Sequence, residues 1–555
     1  TWHRAGAEVM AFRFAMKASV LILPSMKKIS SLAIFNRLSD WRVFILGIAL
    51  SASHLSCHFI SSKVKMVIFL LETMRNRMRK IKSNYLLPIT AIFLMLLMGC
   101  SAVPRLGAWN DFKEEMQIKT QYRLDKDADK NQAVQDTIAV LLAKTLTVGS
   151  AVQIALLNNP GLQATLEELG IAQADLAQAG LLTNPKLKAK ILTGEGDVKT
   201  ELGVEQDFLG FFLRPLRIKL GETQYQVVKH RVGYEVFSLI AEVRSSYYTL
   251  QGNKQLLALR RSVLEAVEAA EELAKRQYNA GNISVLDLSR HQVIYHEAKL
   301  ELMQNEIQVE IEQDELNQKL GFTSGPAWEI KGILPQFSEN EPALPELLSR
   351  ASYNRLDLLA LKAEIKGLEE ALPWARFSQI AEGELGVEQE QEQVQLTGPE
   401  LKVAVPIFDQ GQAEVARKRT ELRQKQKQLE SLRQEIHTEV GTLYKEMAVN
   451  RKTVEYFQKT IIPNHQQIVE SAQKHYNFML QGVYTLLKSK QDEINAHRDY
   501  IEALKFYWII RSKLDFAIGG GLEFPLSGGE QDFQESLQNQ NGLYNKHHYK
   551  GEDHE

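Results

Sequence analysis

Between residues 146 and 518 the apolar positions recur every three or four residues over very long stretches, the period of helices that bury one face. Leu146-Thr147-Val148 opens a short helix with Thr147 as N-cap. It should stop at Asn158-Asn159-Pro160, because the residue before proline avoids the helical region. Gly161–Leu182 follows as an amphipathic helix, with Leu162, Leu166, Leu169, Ala172 and Leu176 on one stripe. From about Leu216 to Asn279 the pattern stays helical, and Leu256, Leu259, Val263, Ala266, Ala270 and Leu273 keep a three-four spacing. Roughly 60 residues at 1.5 Å each span about 90 Å, so this helix is expected to pack as a coiled coil rather than in a compact domain. The chain turns at Ala280–Ile283 and returns as a helix to about Leu320.

Two stretches switch to period two, the mark of strands. Lys186–Thr193 sets Leu187, Ala189 and Ile191 against Lys186, Lys188 and Lys190, and Glu201–Phe208 alternates again after a turn at Gly194–Asp197. Phe208, Phe211 and Phe212 then cluster ahead of Pro215. After an irregular Gly321–Glu341 the plan restarts. Leu344–Ser352 is a short helix ended by Asn354, and Leu356–Leu372 is a second amphipathic helix that Pro373 should end or kink. Glu384–Glu390 and Glu400–Ile407 are strand candidates joined by a polar loop with Thr397-Gly398. Pro406–Gly411 leads into a second long run, to about Met479, which Pro463 should kink. The chain turns at Gln481-Gly482 and returns through Leu486 to Ile518.

The chain therefore reads as two copies of one unit, 146–320 and 344–518, joined by 321–343. Asn159 to Asn354 is 195 residues, Phe208 to Phe408 is 200, and Tyr278 to Tyr476 is 198. Each copy has a tip: Tyr278-Asn279 corresponds to Tyr476-Asn477, and each pair is followed by a Gly, Gly281 or Gly482, and then by Leu286 and Leu288 or Leu486 and Leu487. Arg276, Tyr278, Gly281, Ser284, Leu286, Asp287 and Leu288 form the first; Tyr476, Gly482, Leu486 and Leu487 form the second. The hexapeptide ELGVEQ occurs at Glu201–Gln206 and Glu384–Gln389, out of step with those offsets, and reads as coincidental strand chemistry.

The flanks differ. Residues 100–145 are polar and read as an extended linker, and 519–555 as a polar, disordered tail. Arg75, Arg77, Arg79, Lys80 and Lys82 precede a short apolar run, Leu86–Leu97, that ends in Gly99-Cys100. The run is short for a membrane-spanning helix. Residues 74–99 resemble a bacterial lipoprotein signal peptide, which implies acylation of Cys100; the alternative is an ordinary signal peptide or a membrane anchor with a chance Cys. Ser101 after it implies onward export to the outer membrane. Residues 1–73 read as an upstream extension foreign to the natural chain; a genuine extended N-terminus is the rival.

Composition narrows the classes. The 555 residues are 44% apolar with a net charge of -2, so a folded core is expected and nucleic acid is not. Two cysteines, Cys57 and Cys100, make no disulfide framework or cysteine metal site. No nucleophile elbow, phosphate loop or H-E-x-x-H motif occurs, so no enzyme and no cofactor are expected. His291 and His296 are five apart and face different ways, so they are no metal pair. His547, His548 and His554 read as part of a solvated tail.

The order helix, strand, strand, long helix, turn, helix, twice over behind a lipoprotein signal, resembles the TolC-like outer-membrane factor family. The motifs that carry it are Leu146–Pro160, Gly180–Pro185, Gly281–Leu288 and Pro406–Gly411; Gly180–Pro185 and the second turn are most similar to the heavy-metal and copper-associated branch. The resemblance implies a mainly α fold with a small β part: duplicated coiled-coil hairpins forming a tunnel, and four strands contributing to a trimeric twelve-stranded barrel. It implies a homotrimer in the outer membrane of a Gram-negative bacterium, lipid-anchored, with its helices in the periplasm. The tips would dock a periplasmic adaptor of an inner-membrane pump, and Phe208, Phe211 and Phe212 would sit at the membrane interface, core packing being the other reading. The function implied is a passive efflux conduit, carrying heavy-metal ions or drugs. The alternative is a periplasmic coiled-coil adaptor or structural lipoprotein without a pore, which would not need two strand hairpins.

Overall fold

The computed structural model describes residues 107–524, apart from 127–130, 194–197, 324, 338–339, 376–382, 392–394 and 404–406. The first repeat comprises α3 (Val148–Asn158), α4 (Pro160–Ala179), β1 (Lys186–Thr193), β2 (Val198–Asp207), α5 (Leu209–Asn279) and α6 (Val285–Leu320). It is preceded by α1 (Gly107–Thr120) and α2 (Gln132–Leu142). The second comprises α7 (Leu344–Asn354), α8 (Leu356–Ala371), β3 (Gly383–Gln391), β4 (Gln395–Val403), α9 (Gln412–Tyr456), α10 (Ile462–Asn477) and α11 (Val483–Ala517). Helix α5 is the hub: α3, α4, α6, α8 and α11 all pack against it. Among the described residues no helix is long and apolar enough to cross a membrane.

The expected linker at 100–145 instead contains α1 and α2. Phe112 and Met116 on α1, and Val134, Ile138 and Leu141 on α2, are buried at helical spacing. The stripe on α1 is narrow and set among polar residues, whereas α2 is a short, mostly apolar helix. Gln153 clamps the segment after α1 from both sides: its Oε1 accepts from the Arg123 N–H at 3.0 Å and its Nε2 donates to the Arg123 carbonyl at 2.8 Å.

Helix α5 begins at Leu209, ahead of the expected Leu216, and holds Pro215 inside it. The proline removes one N–H from the ladder. Nearby, Arg217 Nη2 donates to the Gly210 carbonyl at 2.9 Å. Pro463 acts as expected: a π turn at Phe457–Ile461 interrupts the helix just before it, and the wider turn lets the chain continue past the missing donor. In the sheet, β4 occupies Gln395–Val403 rather than Glu400–Ile407, so Thr397 and Gly398 lie within the strand.

Both repeats turn one tight corner before their second helix. In the first, Asn159 Oδ1 accepts from the Leu162 N–H and its Nδ2 donates to the Lys319 carbonyl, both at 2.9 Å. The position with the same backbone in the second repeat is Arg355, not Asn354. Gly321 and Gly519 close the returning helices with φ of +85° and +80°; a Cβ there would collide with Asn158 and Asn354 backbone respectively. The densest core lies where α5 meets α11: Tyr248 stacks on Trp508 at 5.2 Å, and buried Arg244 pairs with Asp515 at 2.6 Å.

Candidate functional site: a two-faced sheet and two helical tips

The four strands form one antiparallel sheet in the order β1-β2-β3-β4, leaving the outer edges of β1 and β4 without a described neighbour. At 10, 9 and 9 residues β2, β3 and β4 match the length that crosses a bilayer when tilted, about 9–11 residues, and β1 with 8 falls just short. The register places Leu187, Val204, Val387 and Pro399 in one row and Gln206, Leu385 and Leu401 in another. These fall on one face, with Leu187 84%, Val387 56% and Leu401 63% exposed.

The opposite face carries lysines and glutamates. Lys188 on β1 lies 3.9 Å from Glu205 on β2, 3.4 Å from Glu388 on β3 and 3.7 Å from Glu400 on β4. One lysine can touch three other strands only if the charged face is concave. Lys402 pairs with Glu205 and lies 3.2 Å from Glu400. Lys186 reaches Glu384 at 2.5 Å, and Lys190 reaches Glu201 at 3.4 Å. Lys199 pairs with Glu390 and Glu201. The lysine alternation of β1 is visible in the sequence, but its carboxylate partners lie on other strands and emerge only with the register.

The two ELGVEQ hexapeptides correct the reading of them as coincidence in one respect: they are each other's partners. Val204 faces Val387, Gly203 faces Glu388 and Glu205 faces Gly386, a pairing with local two-fold symmetry. Each glycine leaves room for a charged chain. A Cβ on Gly386 would stand 3.2 Å from Glu205 Cγ, and one on Gly203 3.7 Å from Lys188 Cβ.

At the junction of β2 with α5, Phe211 and Phe212 are 59% and 71% exposed and meet edge-on at 5.8 Å, while Phe208 is half-buried. Core packing therefore does not account for the outer two. Phe408, at the corresponding junction of the second repeat, is 92% exposed.

The tips share one backbone design, at the same offset that separates Tyr278 from Tyr476, but it pairs residues differently from the expectation. Gly281 has φ +73° and its counterpart is Met479, φ +57°, not Gly482. The Asn282 N–H donates to the Gln277 carbonyl and the Leu480 N–H to the His475 carbonyl, both at 2.8 Å. Gly482 matches Ser284 instead, since both are helix N-caps with extended backbone. Leu288 therefore matches Leu486, Leu286 matches Tyr484, and Leu487 matches Ser289. The spacing of Gly and Leu misleads because the second tip puts a methionine where a glycine is expected.

Ser284 Oγ accepts from the Asp287 N–H at 3.1 Å and donates to Asp287 Oδ2 at 2.7 Å. Arg290 lies 3.5 Å from Asp287, and Arg276 pairs with Glu272 at 3.1 Å. The Ser284 hydrogen bond, helped by Arg290 and His291, holds the Asp287 carboxyl below the usual carboxylate range. Tyr278, Tyr476 and Leu286 are exposed, and Phe478, Met479 and Leu480 form a bare apolar triplet, Met479 at 93%. Sequence reasoning missed that triplet, although three consecutive apolar residues in a turn are its signal.

Beside the first tip, a cleft of about 730 Å³ is lined by Ala270, His291, Ile294, Tyr484, Leu487 and Ile494 among others. His291 stacks on Tyr484 at 4.3 Å, and Tyr484 Oη donates to Gln277 Oε1 at 2.8 Å, so the two repeats touch here. Burial pushes the His291 imidazole down and the Tyr484 phenol up. Cys100, Cys57 and the tail histidines lie outside the described residues. Among the described residues no cluster of three or more potential ligands could hold a metal ion.

A two-faced sheet with open edges on long helical hairpins is an arrangement shared with known proteins. Residues 151–322 match the family model described as outer membrane efflux protein. That segment is similar to the outer membrane efflux protein family. It is a family of channels, not enzymes. The match covers most of the first repeat, and the second repeats its architecture with the long helix divided at the π turn into α9 and α10. Among curated relatives, the cobalt-zinc-cadmium resistance protein CzcC of Cupriavidus metallidurans is 23% identical over 347 residues, 60% of this chain and 79% of that protein. Among solved structures the efflux-protein fold is shared with CusC (TM-score 0.56, 14% identity, 67% of this chain and 92% of that one). It is shared also with the outer membrane protein VceC of Vibrio cholerae (0.55, 12%, 68% and 97%). The open state of the MtrE outer membrane channel of Neisseria gonorrhoeae is similar too (0.53, 15%, 68% and 89%).

Proposed function

We propose that this protein is the outer-membrane subunit of a tripartite efflux system, a passive conduit made of three identical chains. The observation that carries the reading is the sheet. Its aliphatic face suits lipid, its concave charged face suits a water-filled lumen, and its two open edges cannot stay unpaired in a bilayer. Three copies would pool twelve strands into one closed barrel, β1 of one chain beside β4 of the next. Interior and exterior residues alternate along every strand of such a barrel, as they do here.

The rest of the molecule takes its place from that anchor. The exposed Phe211, Phe212 and Phe408 at the strand–helix junctions suit the belt where aromatic side chains line a membrane surface. Asp111 and Glu115 lie near Tyr225 and Met116 near Gly233, so α1 runs parallel to α5 with its start toward the sheet. Gly107 is then roughly 18 Å along the helix axis from Leu209. An acylated Cys100 would add a lipid anchor. The exposed tips, with Tyr278, Leu286, Tyr476 and the Phe478–Leu480 triplet, would dock the periplasmic adaptor of an inner-membrane pump. Heavy-metal ions are the favoured cargo, on the strength of the relationship to CzcC.

Reconstitution in planar bilayers tests the reading. A heat-resistant trimer that conducts ions is expected; a soluble monomer without conductance would favour the adaptor or structural lipoprotein instead. At the tips, Gly281→Pro and Leu286→Asp should leave insertion intact and abolish export. Export that survived both changes would remove the docking role.

A further inference from the structure

The charged face of the sheet carries more ion pairs than stability requires. Exposed pairs contribute about 0–1 kcal/mol each, and Lys188 is itself 35% exposed along its side chain. Yet five lysines and six glutamates interlock there, so the face is nearly neutral. Lys188 is the centre of this network. It contacts carboxylates on all three other strands, and Glu388 has no other ion-pair partner among the described residues. Gly203 beside it leaves the space in which its stem lies across the sheet.

We infer that Lys188 sets how the conduit treats charge: it neutralises the carboxylates of the lining so that cations pass without being held. The inference rests on the reading of this face as the lumen of a barrel. Unpaired glutamates lining a narrow aqueous passage concentrate cations and present hard oxygen ligands to divalent ones. An ammonium placed among Glu205, Glu388 and Glu400 occupies the position a bound cation would take. For a conduit with cationic cargo, that substitution prevents the wall from becoming a trap.

The test measures conductance of the full-length protein in planar bilayers under a KCl gradient, with and without Zn²⁺. The wild-type channel should show a K⁺/Cl⁻ permeability ratio of roughly 1–3 and no block by micromolar Zn²⁺. Lys188→Gln should raise the ratio by about fivefold and lower the half-blocking Zn²⁺ concentration by about tenfold. The charge-compensated pair Lys188→Gln with Glu388→Gln should return both to wild-type values. A wild-type channel already strongly cation-selective or blocked by micromolar Zn²⁺ would overturn the inference without any variant. So would a conducting Lys188→Gln channel with unchanged selectivity, or a compensated pair that stays cation-selective. Wild-type protein that conducts nothing would instead defeat the channel reading on which this one stands.

Discussion

The two repeats solve the same corner with different chemistry. Asn159 caps its helix and reaches the carbonyl of Lys319 through short, neutral hydrogen bonds. Arg355, on the same backbone, makes no cap; its Nη1 donates to the Ala517 carbonyl at 3.3 Å and to Glu439 at 2.5 Å, and its Nη2 donates to Asp357 at 2.7 Å. Lys319 and Ala517 are themselves equivalent positions, in step with Tyr278 and Tyr476, so both side chains serve one geometric need. The backbone path is what the duplication preserved. The side chain can be a compact amide or a buried cation, provided its donors meet the same carbonyl. Burial works against the Arg355 charge, and Asp357 and Glu439 outweigh it, holding the guanidinium protonated.

The comparison breaks most readily at that corner. Arg355→Ala should cost about 2–3 kcal/mol, because half-buried Asp357 and the Ala517 carbonyl lose their partner while exposed Glu439 is screened by water. Asn159→Ala should cost about 1–2 kcal/mol, the range for a lost cap. Equal losses in denaturant titrations would show that the two corners do not differ as their chemistry implies. Met479→Gly should stabilise the second tip by about 1 kcal/mol, since a left-handed backbone strains a methionine, and Gly281→Ala should destabilise the first by a similar amount. Hydrogen exchange at the Leu480 and Asn282 amides reads the two tips separately.

A buried position also differs between the repeats. Glu312 is 5% exposed and bonded to Asn253 and Gln308, where the equivalent position of the second repeat is Ile510. Burial raises the Glu312 carboxyl above its ordinary value. The folded state therefore holds a proton that the unfolded chain releases, and stability falls as pH rises through the folded value. Glu312→Gln should gain on the order of 1 kcal/mol at pH 7, and the gain should vanish below about pH 4, where both states are protonated. A gain independent of pH would point to packing instead of charge.

The smallest effects distinguish the tips. Ser284→Gly should cost a few tenths of a kcal/mol, roughly what Gly482→Ser should add. The first tip should also loosen in acid while the second does not, because Asp287 and His291 correspond to Thr485 and Ser489. The Asp287 value is depressed, so its contribution is complete above about pH 4 and lost as pH falls through the folded value. The His291 value is depressed as well, so the stacked neutral ring contributes fully above about pH 6.5 and weakens as pH falls. Arg290 on its own helix, and Tyr484, Lys488 and Lys490 on α11, line the same cleft. Limited proteolysis between pH 7 and pH 5 should cut near Gly281 first; equal cutting at Met479 would remove the asymmetry.

Much of this molecule is legible in its residues. Periodicity locates the long helices and β1, and the offset between Tyr278 and Tyr476 holds through both tips. The misses have physical causes. Polar composition hides α1, because two buried residues can hold a short helix onto a larger neighbour. Pro215 reads as a barrier to α5, but tertiary contacts carry a helix past one missing donor. Residue type pairs Gly482 with Gly281, whereas backbone conformation pairs Gly281 with Met479.

Sequence alone determined the duplication, the order of helices and strands in each unit and the alternation of aliphatic with charged residues along β1, because these follow from local periods of 3.6 and 2. Tertiary structure decided what those patterns meet. The pairing of β2 with β3 across the two repeats brings Glu205, Glu388 and Glu400 around Lys188 and turns separate charged positions into one nearly neutral face. Partners drawn from four strands and from both repeats are set by register and curvature, and no local period encodes either.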